Sequence, residues 1–237
     1  MLSREKTDIL TEAELQEEAK ILLEGDENKY AFVLCSSTDM DRIVSFYKAT
    51  MVYPKRQFVV DSYQAKQLAW CSMNQGKINP LYRFTKYRQF DKEKDTLLQE
   101  MAEDGFTMLI RKSTTFESRL EQISEKIDLS KTTLIYSQFS GYLDKNFAAH
   151  DDELIDFVGK FDWKFRTLHT SGHATQEALE NVCNAVNPRL AIIPIHKDAR
   201  ADFRKLNISE DLKSKVVEKT TTIEGVEIHE FSVILYN

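Results

Sequence analysis

Short runs of β-branched and aromatic residues alternate with helical patterns along this chain, and this alternation constrains the fold more than any other feature. The runs begin at Tyr30, Gln57, Phe106, Thr132 and Lys164, and each is followed by a segment whose apolar residues recur at helical spacing. Strands that alternate with helices are typical of α/β folds. The pattern predicts a doubly wound α/β fold with a mostly parallel sheet.

A change of pattern near residue 163 suggests two domains. Residues 1–163 fit the doubly wound domain. Residues 164–237 fit a βαβ unit, whose return strand is predicted at 189–196, followed by a tail that alternates like antiparallel edge strands.

The composition excludes several classes of protein. The net charge is −6, whereas proteins that coat nucleic acid usually carry a clustered basic surface, so we expect any contact with nucleic acid in a local groove. No apolar run approaches the roughly 18–20 residues of a membrane span, and the first residues do not resemble a secretory signal. Cys35, Cys71 and Cys183 have no CxxC spacing. These features predict a cytoplasmic protein with free thiols and no membrane partner.

Three predicted strands end in loops of small hydroxyl residues or glycine, at 36–38, 137–141 and 169–173. In a parallel sheet these loops lie at the carboxyl edge, where α/β proteins bind ligands. Hydroxyl groups beside free N–H groups at a helix start can bind an anion. Ser36 and Ser37, with Arg42 in the next turn, are therefore candidates for binding phosphate. The alternative is that these hydroxyl residues are only helix N-caps.

The densest polar cluster in the sequence lies at 169–198. His169 and His173 are four residues apart, and His196 ends the apolar segment 191–195. Because a βαβ unit returns its second strand beside its first, the three imidazoles are expected to be neighbours. Clustered histidines suit zinc, manganese or phosphate. Alternatively, each is an ordinary hydrogen-bonded histidine.

The residues His169-Thr170-Ser171-Gly172-His173-Ala174, followed by Pro194-Ile195-His196, resemble the paired late motifs of β-CASP nucleases. This family of the metallo-β-lactamase fold includes bacterial ribonuclease J and the cleavage and polyadenylation endonuclease. Segments 35–43 and 136–142 resemble earlier parts of the β-CASP domain. The resemblance implies a β-CASP-like domain at 1–163 and the C-terminal part of a metallo-β-lactamase fold at 164–237.

The resemblance also implies a reaction and roles for individual residues. Family members hydrolyse the phosphodiester bonds of RNA with water activated by two metal ions, usually zinc or manganese. By resemblance, His196 is a metal ligand, and His173 is the catalytic residue that contacts the scissile phosphate and protonates the leaving oxygen. His169 and Ser171 hold a neighbouring phosphate of single-stranded RNA.

This sequence departs from the family pattern at the main metal site. The histidines are at 150, 169, 173, 196 and 229, and none forms the family motif His-x-His-x-Asp-His. Lys197-Asp198 stands where ribonuclease J has Gly-Glu. We therefore expect the chain to hold no metal by itself and to need a β-lactamase half, or to self-associate through apolar segments such as 191–195 and 233–235. The alternative is a non-catalytic RNA- or nucleotide-binding subunit.

Basic and aromatic residues also alternate in the segment 77–92, which includes Lys86, Tyr87 and Arg88. Cations beside stacking rings suit single-stranded nucleic acid. We favour a half-buried strand with a solvated basic face.

Overall fold

A computed structural model describes residues 10–90, 95–170, 174–194, 202–217, 221–223 and 226–228 of the chain. The chain divides into two units. One unit is Leu10–Thr170, and the other combines Met1–Ile9 with Ser171–Asn237. The division falls after Thr170 rather than near residue 163, because the strand Lys164–Thr167 pairs with the sheet of the first unit.

The first unit is built on a six-stranded parallel sheet. Its strands are β1 (Tyr30–Leu34), β2 (Gln57–Val60), β3 (Arg88–Gln89), β4 (Phe106–Ile110), β5 (Thr132–Tyr136) and β6 (Lys164–Thr167), in the spatial order β3-β2-β4-β1-β5-β6. Its helices are α1 (Glu12–Glu24), α2 (Met40–Met51), α3 (Ser62–Ile78), α4 (Asp95–Asp104), α5 (Thr114–Ser124) and α6 (Asp152–Gly159). All described pairings in this sheet are parallel, which confirms the predicted α/β fold.

The helices cover both faces of the sheet, as a doubly wound fold requires. Helices α1, α2 and α3 contribute to one apolar core, and α4, α5 and α6 contribute to the other. Because both faces are covered, every residue of β1, β4 and β5 is buried. This burial explains why the central strands are mostly apolar and do not alternate with solvent-facing polar residues; their threonines, Thr107, Thr132 and Thr133, are buried as well.

Short-range hydrogen bonds fix where several helices begin. The side chains of Thr11 and Glu14 form a capping box at the start of α1. Asp39 caps α2, and its carboxylate accepts a hydrogen bond from the N–H of Arg42. Helix α5 is capped by Ser113, whose hydroxyl accepts a hydrogen bond from the N–H of Phe116. These caps satisfy N–H groups that have no partner within the helix.

Gly105 joins α4 to β4 in a conformation that favours glycine. Its φ is +79°, and a Cβ at this position would lie 2.8 Å from the carbonyl oxygen of Lys29. The carbonyl of Gly105 accepts from the N–H of Gln57, so this turn also positions the start of β2.

The basic and aromatic segment 77–92 contributes a strand of two residues, β3, to the edge of the sheet over the residues described. Phe84 and Phe90 are buried, whereas Lys86 and Arg88 are exposed. The predicted basic solvated face is therefore present, but the prediction of a half-buried strand is wrong for most of the described part. Residues 77–87 are the end of α3, a 3-10 turn at Pro80–Tyr82 and a loop, and both residues of β3 are exposed.

The second unit contains α7 (Gln176–Val186), α8 (Glu210–Ser214), β7 (Thr221–Ile223) and β8 (Val226–Ile228). The last two strands are antiparallel, and Cys183, Leu206, Ile208 and Leu212 form a small core. The predicted strand 189–196 is wrong over its described part, 189–194. Only a single bridge forms there, between Ile192 and Val216. Among the described residues, no neighbouring backbone offers this segment a ladder of more than one bridge.

Two expectations from composition concern the cysteines and the membrane. All three cysteines are buried and free of disulfides, and burial raises the pKa of the Cys35 thiol to about 12. Over the residues described here, the helices are too short or too polar to cross a bilayer.

Candidate functional site

Arg42 organises the carboxyl edge of the sheet. It lies in the first turn of α2, is 2% exposed, and donates from its Nη1 to the Ser137 Oγ (2.7 Å) and from its Nη2 to the Thr170 carbonyl (3.0 Å). Its Nε and Nη2 both donate to the carboxylate of Glu12, at 3.1 and 2.9 Å. We call Glu12, Arg42, Ser137, His169 and Thr170 the Arg42 cluster.

The cluster joins the ends of three strands. Arg42 follows β1, Ser137 follows β5, and Thr170 follows β6. Ser137 Oγ also donates to the carbonyl of Leu168 at 2.6 Å, and Thr170 Oγ1 donates to the carbonyl of Leu10. The prediction that these loops share one edge is confirmed, for their described residues, by the parallel pairing of β1, β5 and β6.

Arg42 itself has a different role from the one predicted. A guanidinium has five N–H donors, and the contacts to Glu12, Ser137, His169 and Thr170 use them within the protein. The Glu12 carboxylate also compensates its charge. Arg42 therefore fastens α1 and two strand ends to α2 and does not present a free cation for phosphate.

His169 is half-buried at the rim of this cluster. Its Nδ1 lies 3.1 Å from the Nη1 of Arg42. Because a guanidinium can only donate, this hydrogen bond assigns the acceptor role to Nδ1 and leaves the proton on Nε2. Burial first, and then the positive charge of Arg42, lower the pKa of His169. A hydrogen bond to the backbone of Ser137 acts in the opposite direction but is the smaller effect, so the neutral imidazole is favoured.

The loop after β1 differs in detail from a simple anion site. Ser36 is exposed, and its Oγ lies 3.0 Å from the Thr38 Oγ1. The Ser37 Oγ accepts only a long hydrogen bond, 3.5 Å, from Gln64. The N-cap of α2 is Asp39 rather than a hydroxyl residue, so its carboxylate occupies the helix start where an anion was expected. Phosphate binding by Ser36 and Ser37 stays a prediction.

A second charged group lies beside this loop, and the sequence analysis did not single it out. Asp61, which directly follows β2 and caps α3, is 1% exposed, and its carboxylate accepts a hydrogen bond from Arg111 at 2.8 Å. The Arg111 side chain is 39% exposed, and its guanidinium carbon lies 5.0 Å from the centre of the Tyr63 ring. Arg119 lies 3.9 Å from the same carboxylate. The signal in the sequence was a charged residue directly after β2, Asp61, and directly after β4, Arg111.

Arg111 is the more accessible cation at this edge. Its Nε and Nη2 bind Asp61, which leaves its Nη1 without a partner among the described residues. The exposed Tyr63 ring packs against it. A partly free guanidinium stacked on an aromatic ring suits a phosphate next to a base.

The remaining predicted site residues, Ser171, His173 and His196, lie outside the described residues. Among the residues that are described, no three His, Cys, Asp or Glu side chains are close enough together to hold a metal ion. The described residues thus do not fit a zinc or manganese site.

Comparison with known proteins identifies no family. No model of a known protein family matches the chain, and no curated protein is significantly similar to it.

Proposed function

We propose that the chain is the β-CASP-like part of a metal-dependent RNA-processing nuclease. The observation that supports this most is the meeting of three strand ends in the Arg42 cluster, since His169 begins the motif 169–174 that resembles the family. In this proposal the carboxyl edge binds single-stranded RNA, and His173 and His196 act at the scissile phosphate when a β-lactamase half supplies the metal motif.

The described residues support a phosphate site at this edge. His169 places a half-buried, neutral imidazole at the rim of the cluster. Arg111 offers a partly free guanidinium, and Ser36 an exposed hydroxyl. Hydrogen-bond donors with one exposed positive charge suit a phosphodiester, because the donors position its oxygens and the cation offsets its charge.

An apolar surface on the second unit suits the proposed partner half. Val182, Val186, Leu190 and Ile193 are each at least 40% exposed. Burying such side chains against a partner would stabilise a complex. A second copy of the chain is the other occupant that this surface allows.

Reconstitution tests the nuclease proposal. The chain is mixed with a separate β-lactamase-type domain that contains His-x-His-x-Asp-His, in the presence of manganese or zinc, and cleavage of single-stranded RNA is followed on gels. We expect cleavage only with both parts, and its loss with His173→Ala or His196→Ala. The roles assigned to these histidines are wrong if the reconstituted enzyme cleaves equally well without them.

The second candidate is a non-catalytic subunit that binds RNA or a nucleotide. It is favoured by the sequence itself, which has five histidines but no His-x-His-x-Asp-His motif. Binding of single-stranded RNA by wild type and Arg111→Ala, without any partner half or metal, separates the two candidates. Binding without reconstituted cleavage favours the subunit, and the absence of binding at low salt excludes it.

A further inference from the structure

A pocket at the opposite edge of the sheet is not used by the proposed function. It has a volume of about 340 Å³ and lies where β2 and β3 begin, next to the end of α4. This volume is within the range of small-molecule sites in proteins. The parallel strands place it at the amino edge, whereas the Arg42 cluster lies at the carboxyl edge.

The charge of the pocket is opposite to that of the whole chain. Lys55, Arg56, Lys86 and Arg88 line it, and Asp104 is the acidic residue among the lining residues described. Asp104 itself accepts a hydrogen bond from Gln57 at 3.1 Å. The chain has a net charge of −6, so four cations around one pocket are a local reversal of sign. Clustered cations of this kind attract anions.

Arg56 provides a positive charge that no carboxylate neutralises within the described part of the chain. Its guanidinium donates four hydrogen bonds, all to backbone carbonyls, those of Leu23, Asn28, Lys29 and Phe106. Burial lowers its pKa to about 10, which leaves it charged at neutral pH. The carbonyls hold the group in place but do not cancel its charge.

Lys55 and Lys86 add two exposed ammonium groups that make no ion pair with the described residues. Arg88 does form an ion pair, with Glu100 at 2.7 Å, but both side chains are about half exposed. A pair in that position is weak and can be opened by a competing anion.

Two aromatic rings narrow the class of anion. Tyr53 and Tyr87 line the same pocket and are half-buried, so each ring keeps part of its surface open. The Arg56 guanidinium carbon lies 6.0 Å from the centre of the Tyr53 ring. Tyrosine rings beside cations suit a planar base joined to a phosphate, because the base stacks while the cations bind the phosphate.

We propose that this amino-edge pocket binds a nucleotide, either free or within a single strand. Lys55 and Lys86 bind the phosphate, the uncompensated charge of Arg56 adds to the positive potential, and the base stacks on Tyr53 or Tyr87. This inference does not rest on the proposed nuclease function, because the pocket lies at the other edge of the sheet and requires no metal or partner half.

The test measures binding of a fluorescent oligouridylate of about ten nucleotides, a length within the usual range of single-strand sites, as a function of salt. Lys55→Ala/Lys86→Ala removes both unpaired ammonium groups. Lys126→Ala/Lys145→Ala is the matched control, since it removes two exposed lysines that do not line the pocket. At low salt we expect the pocket variant to bind on the order of tenfold more weakly than wild type and the control to bind as wild type does.

The salt dependence gives a second readout. Each phosphate contact to a single strand contributes about 0.7 to the slope of log affinity against log salt, so the slope should fall by about 1.4 in the pocket variant only. Competition by uridine monophosphate would identify a free nucleotide as a sufficient ligand, and its failure to compete would identify the strand. Inorganic phosphate that competes as well as uridine monophosphate would overturn the role of the rings.

The proposal is overturned if neither probe binds at low salt, or if the pocket variant and the control bind equally well. Arg111→Ala separates this outcome from failure of the carboxyl-edge proposal. A strand that is released by Arg111→Ala but not by Lys55→Ala/Lys86→Ala binds at the carboxyl edge, and the amino-edge inference then fails alone.

Discussion

Replacing Arg42 by methionine should destabilise the sheet unit strongly. Methionine fills part of the volume but has no donors. The Ser137 hydroxyl and the Thr170 carbonyl would each lose the donor that Arg42 provides, and the Glu12 carboxylate would lose its counter-charge. Breaking a buried ion pair costs about 3–5 kcal/mol. Because Glu12 is 35% exposed and water can solvate it, we expect the lower end, about 3 kcal/mol.

The assay is urea unfolding followed by tryptophan fluorescence. Both tryptophans, Trp70 and Trp163, belong to the unit Leu10–Thr170, and Trp163 stacks on Phe32 with ring centres 4.4 Å apart. The signal therefore reports on the unit that contains Arg42. In a thermal scan of the same fluorescence, a loss of about 3 kcal/mol in a unit of this size corresponds to a fall in Tm of roughly 6–12 °C.

Two further variants identify the cause. Arg42→Lys keeps the charge but has fewer donors, so its loss of stability should be intermediate. Arg166→Met removes an exposed arginine of β6 and should change the stability by less than about 0.5 kcal/mol. If Arg42→Met unfolds at the same urea concentration as wild type and Arg166→Met, the cluster does not hold the strand ends together. Arg42 would then again be a candidate for binding phosphate.

Two other perturbations test particular features of the sheet unit. Gly105→Ala should lower the free energy of unfolding by about 1–3 kcal/mol, because φ is +79° and the new Cβ would lie 2.8 Å from the Lys29 carbonyl. Gly159→Ala is the control: a Cβ there meets nothing within 4 Å, so this change should be neutral or stabilising in the same urea assay. Equal effects of the two substitutions would show that Gly105 is not required by the turn. The lowered pKa of His169 means that the unfolded chain binds more protons than the folded one as the pH falls below about 6.5, so stability should decrease from pH 7.5 toward pH 5.5. His169→Gln should flatten this decrease while His150→Gln leaves it in place, and an unchanged pH profile in His169→Gln would show that the imidazole is not held neutral by its surroundings.

Local patterns in the sequence predicted the sheet unit well. The strands were expected to begin at Tyr30, Gln57, Phe106, Thr132 and Lys164, and each begins there. Parallel central strands are recognisable because both of their faces are buried, which makes the whole run apolar. Strand β3 is two residues long at the edge of the sheet, too short to leave such a signal.

The same local patterns failed at 189–194. This segment is as apolar as a buried strand, but over its described residues it makes only the bridge between Ile192 and Val216. Apolar character alone does not make a strand, because a ladder also needs a neighbouring backbone in register. Whether such a neighbour exists is a property of the tertiary structure.

The candidate site, too, was predictable from the sequence only in part. By itself the sequence determined that hydroxyl, histidine and arginine side chains follow strands of a parallel sheet, and so that they gather at one edge. Only the tertiary structure decided what those side chains do there. Arg42 meets Glu12 across 30 positions, Ser137 across 95 and His169 across 127. No periodicity reaches over such separations, whereas helix caps and strand patterns depend on residues a few positions apart. The buried guanidinium of Arg42 therefore has a structural role, and Arg111 provides the more accessible positive charge at this edge.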